Sequence, residues 1–237
     1  MSAMSDLGIV IAAGGSSSRY GGANKLFDKI DGIPVFIFSI ADFACLCLPD
    51  SMVLVTPEAE IEEFRRYLNQ YLPHLDIKVV PGGPTRCHSV RNGLNALPER
   101  IEYVAIHDAA RPLATAEILK KCLEEARKYD GAIAGRPLTD TIKKTSSDQT
   151  IAATVCRADL WGVETPQVFQ LNKLRKAYDA AIDNEINYTD DAGVMEACGY
   201  KLKLVHFPQS NLKITWPGDT SVAEAIIRHQ RSGICRN

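Results

Sequence analysis

The sequence predicts a doubly wound α/β fold with a mainly parallel sheet, and two observations lead to this prediction. Over the first 130 residues, short apolar runs rich in β-branched residues alternate with amphipathic segments of helical length. The chain has 237 residues and is 46% hydrophobic, so it can bury a full core within one unit. We therefore expect a single domain that spans residues 1–237.

Strands and helices alternate in strict order in the first half of the chain. The apolar runs predict strands at residues 8–13, 52–56, 77–80 and 103–107. The amphipathic segments predict helices at residues 34–45, 59–71, 88–97 and 115–128. Thr115 is the expected cap of the last helix, in which Glu117 near the start and Lys128 near the end match the helix macrodipole.

The alternation changes after residue 131. Residues 136–160 hold two β-like pieces, 141–145 and 151–155, on either side of a polar turn, and this pattern predicts a β-arm that protrudes from the domain. Because a two-stranded arm cannot bury itself alone, we expect it to pack on a second subunit. Helices at residues 171–183, 190–198 and 220–231 and a strand at residues 202–207 return the chain to the core.

Charge and hydropathy exclude several classes of partner. The net charge is −2, so no overall field attracts nucleic acid or an anionic membrane, and any anion site must be local. No apolar stretch is long enough to span a bilayer, and residues 1–6 have neither the basic nor the apolar region of a signal peptide. We therefore expect a cytoplasmic protein with neither nucleic acid nor membrane as a partner.

The seven cysteines do not form a recognisable metal or disulfide pattern. They are scattered along the chain without a Cys-x-x-Cys pair, which argues against a zinc site and against a disulfide framework. No activating neighbour of any thiol is evident from the sequence, so we interpret these residues as structural.

The first strand opens into a loop suited to binding phosphate. Gly14 and Gly15 follow the apolar run, three serines come next, and Arg19 and Lys25 bring positive charge to the same place. The loop matches neither the Walker A pattern nor the dinucleotide fingerprint. A flexible surface turn is the alternative, but two basic residues in this context favour a polyphosphate site.

Two further polar segments follow predicted strands. Residues 81–89 form a second glycine turn that runs into a helix, and residues 107–112 follow the fourth strand. In a doubly wound fold, ligands bind just beyond the carboxyl ends of the strands. Both segments should therefore converge on the first loop.

Several strings, in order along nearly the whole chain, resemble the 2-C-methyl-D-erythritol 4-phosphate cytidylyltransferase family. They are Ala12-Ala13-Gly14, Gly82-Gly83 with Arg86 and Ser89, residues 107–112, Asp140-Thr141, Thr165-Pro166-Gln167, Thr189-Asp190-Asp191 and residues 211–215. The resemblance implies a Rossmann-like nucleotidyltransferase fold. It also implies transfer of a cytidylyl group from CTP to methylerythritol phosphate, with release of pyrophosphate, in isoprenoid precursor biosynthesis.

The resemblance also implies roles for individual residues. Four cations would be catalytic, with one pair at the α-phosphate and the other at the acceptor's phosphate: Arg19 and Lys25, then Arg157 and Lys213. The nucleotide would contact Ala12, Ala13, Gly14, Gly15, Gly83, Arg86, Ser89, Asp108 and Ala109. The acceptor would contact Asp108, Arg111, Thr141 and Thr165.

The same resemblance implies a metal ion and a partner subunit. Mg²⁺ or another divalent cation would be held mainly by the CTP triphosphate, so we assign no dedicated metal ligand. Thr141 and Arg157 belong to the arm, so the resemblance implies a homodimer with composite active sites. A phosphomonoester is already largely ionised near neutral pH, so no general base is needed, and we interpret His107 as a structural hydrogen-bonding residue.

Some positions depart from the family pattern, and other functions remain open. Asn24 stands where the family usually has proline, Pro84 where an acidic residue is common, and Trp216 where a basic residue is common. The alternatives are a ribitol-5-phosphate cytidylyltransferase, a guanylyl transferase and a nucleotide-binding regulatory protein without turnover. Intact cations on both sides of the α-phosphate argue against the last of these.

Overall fold

The computed structural model describes residues 3–15, 20, 24–186 and 188–234. The strands within this part of the chain are β1 (Leu7–Ala12), β2 (Lys29–Ile30), β3 (Ile33–Pro34), β4 (Met52–Thr56), β5 (Lys78–Pro81), β6 (Tyr103–Asp108), β7 (Gly131–Pro137), β8 (Ile142–Thr145), β9 (Ile151–Val155), β10 (Trp161–Gln170) and β11 (Leu202–His206). The helices are α1 (Val35–Phe43), α2 (Ile61–Tyr71), α3 (Arg86–Ala96), α4 (Ala116–Ala126), α5 (Leu171–Asp183), α6 (Asp191–Ala197) and α7 (Asp219–Ile234).

The central sheet has seven strands in the order β11-β7-β10-β6-β1-β4-β5. Every neighbouring pair is parallel except those made by β10, which runs antiparallel to both β6 and β7. The predicted doubly wound, mainly parallel α/β fold is therefore confirmed. Strands β7 and β10 were not predicted. Strand β10 carries Glu164, Thr165 and Pro166 in its middle and changes register there, so its sequence lacks the alternation that marks a strand.

Strand β1 lies inside the sheet, between β6 and β4, and its first five residues are buried. The core has one layer on each face of the sheet. Phe36, Phe64 and Leu119 belong to one layer, and Leu94 and Leu174 to the other. Helix α3 can lie close to β1 because Gly93 faces it, where an added Cβ would come within 2.6 Å of the Val10 side chain.

The predicted helices are confirmed, most of them with shifted ends, and Thr115 is the N-cap residue of α4 as predicted, although its side chain makes no capping hydrogen bond. Thr115 precedes α4, yet its buried hydroxyl makes no hydrogen bond among the described residues. The Ala116 N–H donates instead to the Asp42 carboxylate, which is the stronger acceptor. Lys128 lies beyond the end of α4 and pairs with Glu125.

The β-arm is present as a separate two-stranded sheet. Strands β8 and β9 pair antiparallel between the end of β7 and the start of β10, and most of their residues are exposed. Ile151 on β9 has 63% of its surface exposed, which leaves an apolar side chain uncovered in the single chain. Packing of the arm on a second subunit stays a prediction.

The six cysteines within the described residues are free thiols, and Cys235 lies outside those residues. Burial raises the pKa of the Cys122 thiol to about 12, so it stays protonated. Within the described residues, no helix combines the length and the apolar character that crossing a membrane requires.

Candidate active site

A cavity of about 390 Å³ opens at the carboxyl ends of β1 and β6. The residues that line this central cavity come from five segments: residues 12–15, residues 25 and 26, residues 83–86 with 89 and 90, residues 108 and 110, and residues 213 and 215. Ten of the predicted site residues are brought together there, namely Ala12, Ala13, Gly14, Gly15, Lys25, Gly83, Arg86, Ser89, Asp108 and Lys213. The convergence of the two predicted loops on the first loop is therefore confirmed.

The loop after β1 presents backbone to the cavity. The Ala13 N–H donates to the Val55 carbonyl at 2.8 Å, which pins the start of the loop to β4. Gly14 and Gly15 are exposed, and an added Cβ at either would meet no atom of the described residues within 4 Å. Their peptide groups are therefore open to an incoming anion. The predicted catalytic residue Arg19 lies outside the described residues.

Ala109 lies beneath this loop rather than in the cavity wall. Its N–H donates to the Ala12 carbonyl at 3.0 Å, and the residue is fully buried. Its contact with the nucleotide therefore stays a prediction, and the bond it makes holds the end of β6 against the end of β1.

The second glycine turn is closed by its own side chains. The Ser89 hydroxyl accepts from the Gly83 N–H at 3.0 Å and donates to the Thr85 carbonyl at 2.9 Å. Residue 83 must be glycine in this turn, because an added Cβ would lie 2.4 Å from the Cβ of His88. Ser89 therefore shapes the turn as well as lining the cavity.

Arg86 is held in the cavity wall by a carboxylate behind it. Its Nη1 and Nη2 atoms donate to the two oxygens of Asp191 at 2.9 and 2.5 Å, and the Tyr178 hydroxyl donates to the same carboxylate. Burial by itself lowers the pKa of Arg86, but Asp191 outweighs it and raises that pKa. Arg86 is therefore a fixed cation whose guanidinium plane is set by Asp191.

Asp191 and Tyr178 were not predicted as site residues. Asp191 is fully buried at the first position of α6, and Tyr178 is fully buried on α5. The sequence signal was the acidic pair Asp190-Asp191, but only the fold shows which acid turns inward toward Arg86.

Lys213 and Asp108, which both line the cavity, form an ion pair with Nζ and Oδ2 at 2.6 Å. The Ile214 N–H donates to the Ala110 carbonyl at 2.8 Å, which fixes the lysine segment beside the end of β6. Burial by itself raises the pKa of the Asp108 carboxyl, but the charges of Lys213 and Arg86 lower it to about 2. Asp108 is therefore an ionised acid among cations.

A buried hydrogen-bonded chain supports Asp108 from below. The Thr165 hydroxyl accepts from the Asp108 N–H at 3.0 Å and lies 3.0 Å from His107 Nδ1. His107 Nε2 lies 3.1 Å from the hydroxyl of Ser39, which donates to the Arg111 carbonyl. The chain is complete with a neutral imidazole that carries its proton on Nε2.

Burial lowers the pKa of His107 to about 3, which agrees with the neutral form. His107 is thus a structural hydrogen-bonding residue at a strand end, as predicted. Thr165 is buried and does not line the cavity, so its predicted contact with the acceptor stays a prediction.

Three other predicted acceptor residues lie away from the cavity of this single chain. Arg111 Nη1 donates to the Asn211 carbonyl at 2.7 Å, while its buried Nε makes no hydrogen bond among the described residues. Thr141 and Arg157 are exposed on the arm, and Arg157 donates to the Thr139 carbonyl. Their predicted contact with an acceptor through a second subunit stays a prediction.

No group of three or more His, Cys, Asp or Glu side chains within the described residues is arranged to hold a metal ion. Asp108 is the one carboxylate among the described residues that line the cavity. It could supply a single oxygen to a cation that is bound mainly by other ligands.

The doubly wound sheet, with cations and open peptide groups at its carboxyl edge, defines a nucleotidyltransferase of Rossmann-like fold. The family model for 2-C-methyl-D-erythritol 4-phosphate cytidylyltransferase (IspD) matches residues 7–229. The chain belongs to this family.

Curated relatives and solved structures agree with this assignment. The 2-C-methyl-D-erythritol 4-phosphate cytidylyltransferase of Caldanaerobacter subterraneus is 37% identical over 221 residues, which are 93% of this chain and 97% of that relative. The protein of the same name from Microcystis aeruginosa is 37% identical over 92% of this chain and 97% of its own length. The crystal structure of the enzyme from Thermus thermophilus superposes with a TM-score of 0.78 at 27% identity, covering 95% of this chain and all of that one.

Proposed function

We propose that this chain transfers the cytidylyl group of CTP to 2-C-methyl-D-erythritol 4-phosphate, giving 4-diphosphocytidyl-2-C-methyl-D-erythritol and pyrophosphate. The observation that carries the proposal is one cavity lined by Lys25, Arg86 and Lys213 beside an open glycine loop, in a chain of this family. A polyphosphate and a second phosphate would both find cations there.

The reaction is an in-line displacement at the α-phosphorus. An oxygen of the acceptor's phosphate forms the new bond to the α-phosphorus, and the bond from that phosphorus to the oxygen bridging to the β-phosphorus breaks as pyrophosphate leaves. The acceptor is largely ionised near neutral pH, so no side chain has to remove a proton. The neutral, buried His107 agrees with a mechanism that lacks a general base.

Cations do the catalytic work in this proposal. Negative charge builds on the α-phosphoryl oxygens in the transition state, where Lys25 and Arg19 stabilise it. The nucleotide lies along residues 12–15, with Gly83, Arg86 and Ser89 on its other side. Each fixed donor of this kind is worth about 3 kcal/mol in the barrier.

Lys213 positions the acceptor. Its ammonium is half-exposed and paired with Asp108. An incoming phosphate can therefore bind the ammonium without a buried charge first having to be exposed to solvent. Asp108, Arg111 and Thr165 complete the acceptor side from the same chain. Asp108 would then be a partner for a hydroxyl of the polyol.

The remaining acceptor residues come from a second copy of the chain. We propose a homodimer in which Arg157 and Thr141 of one arm reach the cavity of the other subunit. The exposed hairpin and its uncovered Ile151 support this proposal, because an isolated two-stranded sheet is stable only when it packs on something else.

Mg²⁺ or another divalent cation enters with the triphosphate in this proposal. Phosphate oxygens would supply most of the ligands of such an ion, and Asp108 would offer it the one carboxylate among the described residues that line the cavity. Such an ion neutralises charge on the triphosphate. The expected cytoplasmic location stays a prediction.

Pyrophosphate release tests the proposal. The assay contains Mg²⁺ and CTP and compares methylerythritol 4-phosphate with ribitol 5-phosphate as acceptor. Turnover confined to the first acceptor supports the proposed function. Turnover with ribitol phosphate alone assigns the chain to polyol-phosphate activation instead, and silence with both acceptors contradicts the proposal.

A further inference from the structure

Lys25 lies in a short 3₁₀ turn, Lys25–Phe27, and the residue before it controls that turn. The Asn24 carbonyl accepts from the Phe27 N–H at 3.0 Å, and its side-chain oxygen accepts from the Leu26 N–H at 3.0 Å. The Asn24 side chain thereby satisfies a backbone donor that the turn itself leaves unpaired.

The other end of the same amide binds an acid on a different element. Asn24 Nδ2 donates to Glu60 Oε2 at 2.6 Å. Glu60 ends the 3₁₀ turn Glu58–Glu60 that leads into α2. The bond has an ionised acceptor and is partly buried, so it is stronger than a bond between neutral groups.

A second anchor holds the other end of the Lys25 turn against α2. Phe27 stacks on Tyr67 with ring centres 5.3 Å apart and packs on Phe64 at 4.7 Å. Leu26 is 4% exposed and points into the core. The backbone of Lys25 therefore lies between the Asn24–Glu60 hydrogen bond on one side and the Phe27 stack on the other.

We propose that Asn24 and Glu60 are positioning residues for Lys25. The inference rests on the proposed function, in which Lys25 stabilises charge on the transferring phosphoryl group. Glu60 does not line the cavity, so it acts through Asn24 rather than on the substrate. Loss of the bond leaves Lys25 on the chain but lets its turn move, and a misplacement of about 1 Å can cost about 100-fold in rate.

The backbone of Asn24 allows a sharp test of this role. Its φ of −74° lies within the range that proline imposes. Proline at this position would hold the entry to the turn rigid without any side-chain bond. Asn24→Pro should therefore restore what Asn24→Ala loses, and it should make Glu60 dispensable.

The experiment measures kcat and KM for CTP in Asn24→Ala, Glu60→Ala, their double variant, Asn24→Pro and Asn24→Pro with Glu60→Ala. We expect each alanine variant to lose about 10-fold or more in kcat while KM changes less than about threefold. The double variant should lose no more than either single variant, because both changes break one bond. Asn24→Pro, with or without Glu60→Ala, should keep most of the wild-type kcat. Glu58→Ala, an exposed acid of the same turn, is the matched control and should behave as wild type.

Amide hydrogen exchange supplies a readout that does not depend on turnover. Exchange at Leu26 and Phe27 should rise in Asn24→Ala and Glu60→Ala, while the urea midpoint of unfolding stays near that of wild type. Unchanged exchange, an unchanged kcat in Glu60→Ala, or a loss in Asn24→Pro equal to that in Asn24→Ala would overturn the inference. An inactive wild-type protein would contradict the proposed function instead, and exchange would still decide whether Glu60 orders the Lys25 turn.

Discussion

Lys213 Nζ lies 2.6 Å from Asp108 Oδ2, and this pair joins the end of β6 to a segment 105 residues further along the chain. The acid is kept ionised by the pair, since the pKa of Asp108 is lowered to about 2. The lysine remains 44% exposed at the rim of the cavity. In the proposed reaction, Asp108 keeps the Lys213 ammonium at the place where the acceptor's phosphate binds, and neither charge of the pair is buried without a partner.

Lys213→Gln should lower the use of the acceptor more than it weakens the binding of the nucleotide. We expect kcat/KM for methylerythritol phosphate to fall about 100-fold or more, because one charged donor to the attacking phosphate is lost. The Kd of CTP, measured by calorimetry, should change less than about threefold. Lys176→Gln, an exposed site on α5, is the control. An equal loss in CTP binding would move Lys213 to the nucleotide side.

His107 should make stability fall as the solution becomes acidic. Its folded pKa is about 3 against an ordinary 6.5, so below pH 6.5 the unfolded chain binds a proton that the folded chain does not. The free energy of unfolding should therefore drop by about 2 kcal/mol between pH 8 and pH 5 because of this one group.

Urea unfolding of wild type and His107→Gln at pH 8 and pH 5 isolates this contribution. The variant should lose less stability than wild type over that interval, whatever its stability at pH 8. His74→Gln changes an exposed histidine and should keep the wild-type slope. Parallel slopes for wild type and His107→Gln would show that His107 is not held neutral.

Substitution of Asp191 should lower the free energy of unfolding far more than substitution of a surface acid. Asp191→Asn leaves the part-buried Arg86 guanidinium without its carboxylate, and we expect a loss of about 3 kcal/mol. Tyr178→Phe removes one hydrogen bond to the same carboxylate and should cost about 1 kcal/mol.

The free energy of unfolding in urea, at one fixed protein concentration, checks both values. Asp179→Asn is the matched control, since Asp179 also pairs with an arginine but is 50% exposed. It should cost less than about 0.5 kcal/mol. If both substitutions lowered the free energy of unfolding by similar amounts, burial of the Arg86–Asp191 pair would add nothing to its contribution to stability.

Composite active sites should be detectable by mixing two inactive variants. Arg157→Ala and Lys213→Ala each spoil every site in their own homodimers. A mixed dimer keeps one intact site, so random exchange at equal amounts should recover about a quarter of wild-type activity. Lys143→Ala, elsewhere on the arm, should stay active alone. Failure to recover activity after confirmed subunit exchange would place Arg157 and Lys213 in the site of one chain.

Local patterns determined much of the fold. The predicted bounds of β4 and α5 agree with the structure, because each is a continuous apolar or amphipathic run with clear flanking residues. The loops after β1 and β5 were also recognisable from their glycines and basic residues. These features depend on neighbours in the chain, so the amino-acid sequence alone is enough to predict them.

Long-range pairing decided the rest. Strand β10 forms because it pairs with β6 on one side and β7 on the other. The polar residues in its middle interrupt the apolar pattern from which a strand would be predicted. The Asn24–Glu60, Arg86–Asp191 and Asp108–Lys213 contacts join residues that are 36, 105 and 105 positions apart. The sequence determined which charges and glycines this chain carries, whereas only the tertiary structure decided which of them meet, because that depends on how the helices pack across the sheet.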